Sequence, residues 1–287
     1  MKLRRPHVVS EGYLRNFADG KSITVVTTAT RLAKEISTKD TFVRSNFLTV
    51  RHAGGVNDSA EDLFGNVENF ALPLIRTVRP FVPLTDPEQW AIKSAMAMLW
   101  CRSFALEATS DRIHLEIVSD FQERITHDRE ALRRFTRDTG RAPNPGELAG
   151  LVEAVGDDMK ASRLQTVAKM IEYQTKALER FRDLHVTIYG ARKGRQFITS
   201  DNPVMLAADE SLTQVGAHHH LALGDADFIF LALSPTVGAC LTTKPEPDSM
   251  LDSLDLYRLN NAAWRNSVQR IACHPTADWA AECNIAP

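Results

Sequence analysis

The chain changes its hydrophobic period twice, and this limits the folds open to it. From Ser59 to about Phe181, apolar residues recur at helical spacing. Leu63, Phe64, Val67, Phe70, Leu74 and Ile75 mark one amphipathic helix; Leu164, Val167, Met170, Ile171, Leu178 and Phe181 mark another. Short β-branched and aromatic runs flank this middle. They are SITVVTT from Ser22, a run near 41–47, HVTIYG from His185, RQFITS from Arg195, ADFIFLALS from Ala226 and VGACLTT from Val237. Strands need partners for their backbone groups, so the runs of the two ends are expected to pair across the helical insert. The expected class is α+β, with long central helices and a small, mostly antiparallel sheet built from N-terminal and C-terminal strands. A single domain over 1–287 is expected, with a helical middle at 58–184 and a β-rich part at 185–245.

Local punctuation refines the plan. Ser10 is placed to cap a short helix ending near Phe17, with Gly20 as its stop. Thr85 or Asp86 starts a second long helix, and Pro87 suits its first turn. That helix is apolar on nearly every side, so Trp90, Met96, Leu99 and Trp100 are expected to be buried. Gly194 between two β-type runs predicts an antiparallel hairpin over 185–200. A last helix is expected over 251–271.

Charge and composition exclude several classes. The formal net charge is -2, so no global basic field draws in nucleic acid or an anionic membrane. A local groove lined by Arg4, Arg5 and Arg15 stays open. No stretch reaches the roughly 18 apolar residues of a membrane span, and MKLRRPHVV lacks the apolar centre of a secretion signal. Cys101, Cys240, Cys273 and Cys283 form no CxxC pair and read as free thiols. A cytoplasmic protein is expected. No P-loop, GxGxxG or GxSxG motif is present. The His218–His220 tract reads as an exposed loop, because no third metal ligand is indicated.

Three features carry candidate chemistry. Glu61 and Glu68 are seven residues apart. On a helix they share a face at a separation of about 10 Å, too far for both to grip one ion directly but near enough to flank a site. His7 precedes a short helix, and its ring suits proton shuttling or metal ligation near neutral pH. The run FITSDNPV at 197–204 ends a strand in Ser200, Asp201 and Asn202 before a proline. A turn explains these residues; so does a strand end that presents a carboxylate and an amide to Mg²⁺ or Mn²⁺.

Together these stretches resemble the domain-of-unknown-function 4238 family. His7, Val9, Tyr13, Leu14, Asn16 and Phe17 match its N-terminal signature, with Ser10 where the family has proline. Glu61 and Glu68 match its helical carboxylate pair, Arg102 an arginine in the apolar helix, and FITSDNPV a near-verbatim stretch. Leu233–Pro235 and Asn260 or Asn261 match two further features. The resemblance implies an architecture and a residue set, and no reaction. On that set the expected function is metal-dependent hydrolysis of a phosphodiester or nucleotide-type substrate. His7, Glu61, Glu68 and Asp201 are the candidate catalytic residues, and Glu68 and Asp201 the candidate ligands of Mg²⁺ or Mn²⁺. Arg15, Arg102, Ser200 and Asn202 are the candidate substrate-binding residues. The alternative is a non-catalytic binding module, or a partner-dependent defence or toxin effector, in which the polar cluster is structural. The substrate is a small molecule or nucleic acid, and no membrane partner is expected.

Overall fold

The computed structural model describes residues 7–44, 47–48, 50–52, 55–57, 59–103, 129–142, 144, 147, 163–209, 212, 215 and 221–283. The chain divides into two compact units. One comprises Met1–Leu106 and Val167–Pro287, the other Glu107–Thr166. The tract His218–His220 lies outside the described residues, as do Arg4 and Arg5.

The fold is α+β. In the larger unit, α1 (Glu11–Leu14) begins at Ser10, whose hydroxyl accepts from the Tyr13 N–H as the sequence predicts. Then come β1 (Ser22–Thr27), β2 (Ala33–Ser37) and a small ladder of β3 (Val50–His52) with β4 (Gly55–Asn57). Helix α2 (Ser59–Ile75) packs on α3 (Asp86–Cys101). Thr85 and Glu88 close a full capping box at the start of α3, with Pro87 in the first turn. The other unit contributes the charged helix α4 (Arg129–Thr139). Helix α5 (Arg163–Arg182) leads to β5 (His185–Ala191), β6 (Thr199–Ser200), β7 (Met205–Ala207), β8 (Phe228–Ser234), β9 (Val237–Thr242) and β10 (Ser249–Leu251). The chain closes with α6 (Ser253–Asn266), β11 (Arg270–Cys273) and α7 (Trp279–Cys283).

Among the described residues two larger sheets form beside the β3–β4 ladder, where one was expected. The first has the order β2-β1-β11-β6 and is antiparallel throughout, so the N-terminal and C-terminal ends do pair, with Thr24 opposite Cys273. The second has the order β10-β5-β9-β8-β7 and is antiparallel except for the parallel pair β10 and β5.

The hairpin expected over 185–200 does not form. The chain turns at Gly194, which has φ +84° and lets Arg195 N–H reach the Arg192 carbonyl at 3.0 Å. However, β5 has both edges occupied, by β9 and by β10, so the returning segment crosses to the first sheet and pairs with β11. The strand expected near 41–47 is also replaced. Thr38–Asp40 is a 3-10 turn and Phe42 has φ +51°, so this stretch meets the first residues through an isolated His7–Val43 bridge. The last helix ends at Asn266, and the expected helical residues 270–271 belong to β11.

In α3 every residue from Ala91 to Leu99 is buried, including Met96 and Leu99. Lys93 is accommodated because its Nζ donates to the Arg182 carbonyl at the end of α5, 2.8 Å away. Trp100 is half-buried, and Trp90 is 41% exposed, against expectation. Trp90 sits in the first turns of α3, before the buried run from Ala91 to Leu99. The four cysteines are free and buried. Among the described residues no helix is long and apolar enough to cross a membrane.

Candidate functional site

The N-terminal segment is threaded between other elements. Val8 N–H donates to the Phe42 carbonyl at 2.8 Å. Phe42 is fully buried and holds a left-handed backbone that residues with a Cβ seldom adopt. This places His7 beside the Thr38–Asp40 turn, where its Nε2 lies 3.2 Å from the Thr38 carbonyl. A carbonyl oxygen only accepts, so Nε2 carries the proton and Nδ1 keeps its lone pair. Burial pushes the imidazole below its ordinary pKa, although the Thr38 hydrogen bond and the Glu11 charge pull it back. Burial therefore favours the neutral form of His7.

Arg102 caps the C-terminus of α3 and joins two elements to it. Its Nη1 donates to Glu68 Oε1 at 2.7 Å, and its Nη2 donates to the His7 carbonyl at 2.5 Å. Its guanidinium carbon stands 5.0 Å from the centroid of the Phe64 ring, a cation–π contact. The residue is 4% exposed, and its Nε is buried without a hydrogen-bond partner. The sequence marks Arg102 as substrate-binding; the structure uses one donor of each terminal nitrogen to hold Glu68 and His7.

His7, Glu61, Glu68, Arg102 and Arg15 all line one open cleft of about 400 Å³, together with Glu11, Gly12, Leu48 and Gly65. Glu11 accepts from Arg15 Nε at 3.2 Å and Nη2 at 2.8 Å across one helical turn. Thr38 Oγ1 also approaches Glu11, at 3.5 Å. The lining thus holds two guanidiniums and three carboxylates.

Ser200, Asp201 and Asn202 are not part of that cleft. Asp201 is fully buried, and its carboxylate accepts three successive backbone N–H groups: Val268 on Oδ1 at 2.8 Å, and Gln269 and Arg270 on Oδ2 at 2.9 and 3.0 Å. These groups form the turn from α6 into β11. Burial pushes the Asp201 carboxyl up, and the three donors and the Arg270 charge pull it down. Ser200 Oγ donates to the Asn202 carbonyl at 2.8 Å and accepts from the Asn202 N–H at 3.2 Å. Asn202 and Asn266 exchange side-chain bonds with each other's carbonyls, at 3.0 and 2.8 Å. The polar triplet of FITSDNPV thus closes a junction between strand and helix. Glu68 and Asp201 are not brought together as metal ligands. Among the described residues no group of three or more His, Cys, Asp or Glu side chains is placed to hold a metal ion.

Tyr13 ties the N-terminal signature to both sheets. Its hydroxyl donates to the Ala232 carbonyl of β8 at 2.7 Å and accepts from Thr199 of β6 at 2.8 Å. Asn16 donates to the Leu233 carbonyl, and Asn260 of α6 bonds the backbone of Gln196 and Ile198. These contacts join the N-terminal signature, FITSDNPV, the Leu233–Pro235 stretch and the last long helix. The family model described as "Protein of unknown function (DUF4238)" matches residues 5–277. The chain belongs to the DUF4238 family. Searches of curated proteins and of solved structures return no match. In this DUF4238 chain, sequence reasoning missed Glu11 and Gly65 in the cleft lining and Thr38 as the partner of His7. The Glu11–Arg15 spacing was a readable signal, whereas nothing near Thr38 announces that its carbonyl meets His7.

Proposed function

We propose that the cleft is the working site of a hydrolase acting on a phosphate ester of nucleotide or sugar-phosphate type. One observation carries this reading: a single buried guanidinium, that of Arg102, fixes both the backbone of His7 and the carboxylate of Glu68 at the wall of an open polar cleft. A base is useful when it is neutral at working pH and held within reach of its water. Burial supplies the first condition, and the Thr38 and Arg102 contacts supply orientation. In this reading His7 Nδ1 takes a proton from water as the water attacks phosphorus, and the ester oxygen leaves with the bonding pair. Arg15, more than half exposed, faces the phosphate oxygens.

The three carboxylates of the lining favour a phosphate that arrives with a divalent cation. Mg²⁺ is often held by one or two carboxylates with the substrate's own phosphates and water completing its shell. Glu68, the α2 carboxylate that Arg102 orients, would serve; the cation would neutralise charge on the phosphate. Asp201 has no part in this reading, since backbone donors occupy its oxygens.

The test is hydrolysis of bis(p-nitrophenyl) phosphate by the full chain with Mg²⁺ or Mn²⁺, with and without EDTA. His7→Ala should lower kcat/KM by about 100-fold or more, the usual worth of a general base, and leave thermal unfolding nearly unchanged. Wild-type turnover in that variant would remove His7 from the reaction. Turnover that survives EDTA unchanged would remove the cation.

A further inference from the structure

Two glycines line the cleft, and only one of them has a structural reason to be glycine. A Cβ on Gly12 would stand 2.6 Å from Leu72 Cδ1, so the packing of α1 on α2 requires its absence. A Cβ on Gly65 would meet nothing within 4 Å among the described residues. Gly65 has no positive φ to justify it, and it sits inside α2, where alanine would be the better helix former. The space in front of it therefore belongs to the cleft.

Gly65 lies four residues after Glu61 and three before Glu68, so the three share one face of α2. Two carboxylates thus flank a stretch of bare helix backbone over a length of about 10 Å. Carboxylates only accept hydrogen bonds, so they suit a ligand rich in hydroxyl donors; acidic side chains hold ribose hydroxyls in this way elsewhere. Among the described residues the lining offers no Phe, Tyr or Trp side chain for stacking a base. Phe64, the nearest ring in sequence, is buried under the Arg102 guanidinium. Arg15 supplies an exposed cation in the same lining. At the wall, Arg102 also keeps a buried Nε donor without a partner.

We propose that Gly65 determines specificity: its bare backbone is the floor on which the ring of a sugar phosphate lies, with the Glu61 carboxylate taking ring hydroxyls and the Arg15 guanidinium taking the phosphate. This rests on the cleft being the working site, and it adds the substrate class. Recognition is through sugar and phosphate, with little discrimination among bases.

The experiment uses ¹⁵N-labelled full chain titrated with ribose 5-phosphate and, separately, with inorganic phosphate, both in the presence of Mg²⁺. Ribose 5-phosphate should bind more tightly than inorganic phosphate and shift the Gly65 amide resonance. Gly65→Ala should weaken ribose 5-phosphate about tenfold, equivalent to about 1.4 kcal/mol, leave inorganic phosphate unchanged, and raise the unfolding temperature. The proposal is overturned if Gly65→Ala binds ribose 5-phosphate as the wild type does. It is equally overturned if the sugar phosphate binds no better than phosphate, or if Gly65→Ala unfolds at a lower temperature, which would give the glycine a packing role. Failure here is separable from failure of the hydrolase reading. If His7→Ala loses turnover while the Gly65 variant behaves as wild type, only the sugar floor falls. If His7→Ala keeps turnover while Gly65→Ala loses ribose 5-phosphate, the binding site stands and the role of His7 falls.

Discussion

Replacing Asp201 by Asn should destabilise the fold without entering the chemistry of the cleft. The side chain keeps its size, but an amide offers one oxygen where the carboxylate offers two. With that oxygen at the Oδ2 position, the bonds from Gln269 and Arg270 survive, and the new NH₂ faces the Val268 N–H, donor against donor. The opposite orientation loses two bonds. A hydrogen bond to a charged group is worth about 1.5–3 kcal/mol, and an orphaned buried donor costs about 1–3 kcal/mol. These overlap, so a loss of about 2–4 kcal/mol is expected. That is below the about 5–15 kcal/mol of an ordinary domain, so Asp201→Asn should still fold. Urea unfolding followed by near-ultraviolet circular dichroism reads the change directly, since Trp264 lies in α6 just before the locked turn. Any turnover per folded molecule should match the wild type. A loss under about 0.5 kcal/mol, typical of a neutral surface change, would refute the assignment of Asp201 as a backbone lock; so would abolished hydrolysis at unchanged stability.

Tyr13→Phe should cost about 1–3 kcal/mol, because it strips a buried Thr199 hydroxyl and the Ala232 carbonyl of their partner at once; unfolding at wild-type urea concentration would count against the tie between the sheets. His7 should titrate below the histidine value of about 6.5, read from its Cε1–H resonance. A depressed folded pKa favours the neutral ring, so the stability it contributes is present above about 6.5 and is lost as pH falls through the folded pKa. His7→Gln should therefore lose less stability than the wild type on acidification from neutral pH, and parallel losses in the two proteins would refute the shift.

The parts of the fold legible in the sequence were those set by local chemistry. The Ser10 cap, the start of α3 at Thr85 and Asp86 and the buried run of α3 need only neighbouring residues to form, and each stands where the pattern puts it. The pairing of the chain ends followed from the need to satisfy strand backbones. What escaped was partner choice. Gly194 does make its turn, but whether the next segment pairs back depends on β9 and β10, remote elements that occupy both edges of β5. Strand β11 escaped because Arg270–Cys273 is four residues long and follows a helix directly. Its position is dictated by Asp201, almost seventy residues earlier.

The same division runs through the candidate site residues. The residues that carry the family resemblance belong to two separate structures. Tyr13, Asn16, Ser200, Asp201, Asn202 and Asn260 spend their polar groups on backbone partners at the junctions of strands and helices. His7, Glu61, Glu68 and Arg102 converge on the cleft. Both sets are polar residues in short motifs, and residue type alone does not separate them. The discriminating property is whether a side chain's lone pairs and donors are consumed internally. For Asp201 three backbone donors occupy two oxygens, so no substrate or metal is needed to explain a buried carboxylate. For His7 one ring nitrogen is held and the other is not consumed by that bond. Arg102 stands between the cases. Two of its donors go to protein groups, yet the groups they hold are a histidine and a carboxylate at an open wall, and a buried guanidinium is a costly way to join two chain segments that apolar packing would join as well. That cost is accounted for if the positions of His7 and Glu68 matter to something outside the chain.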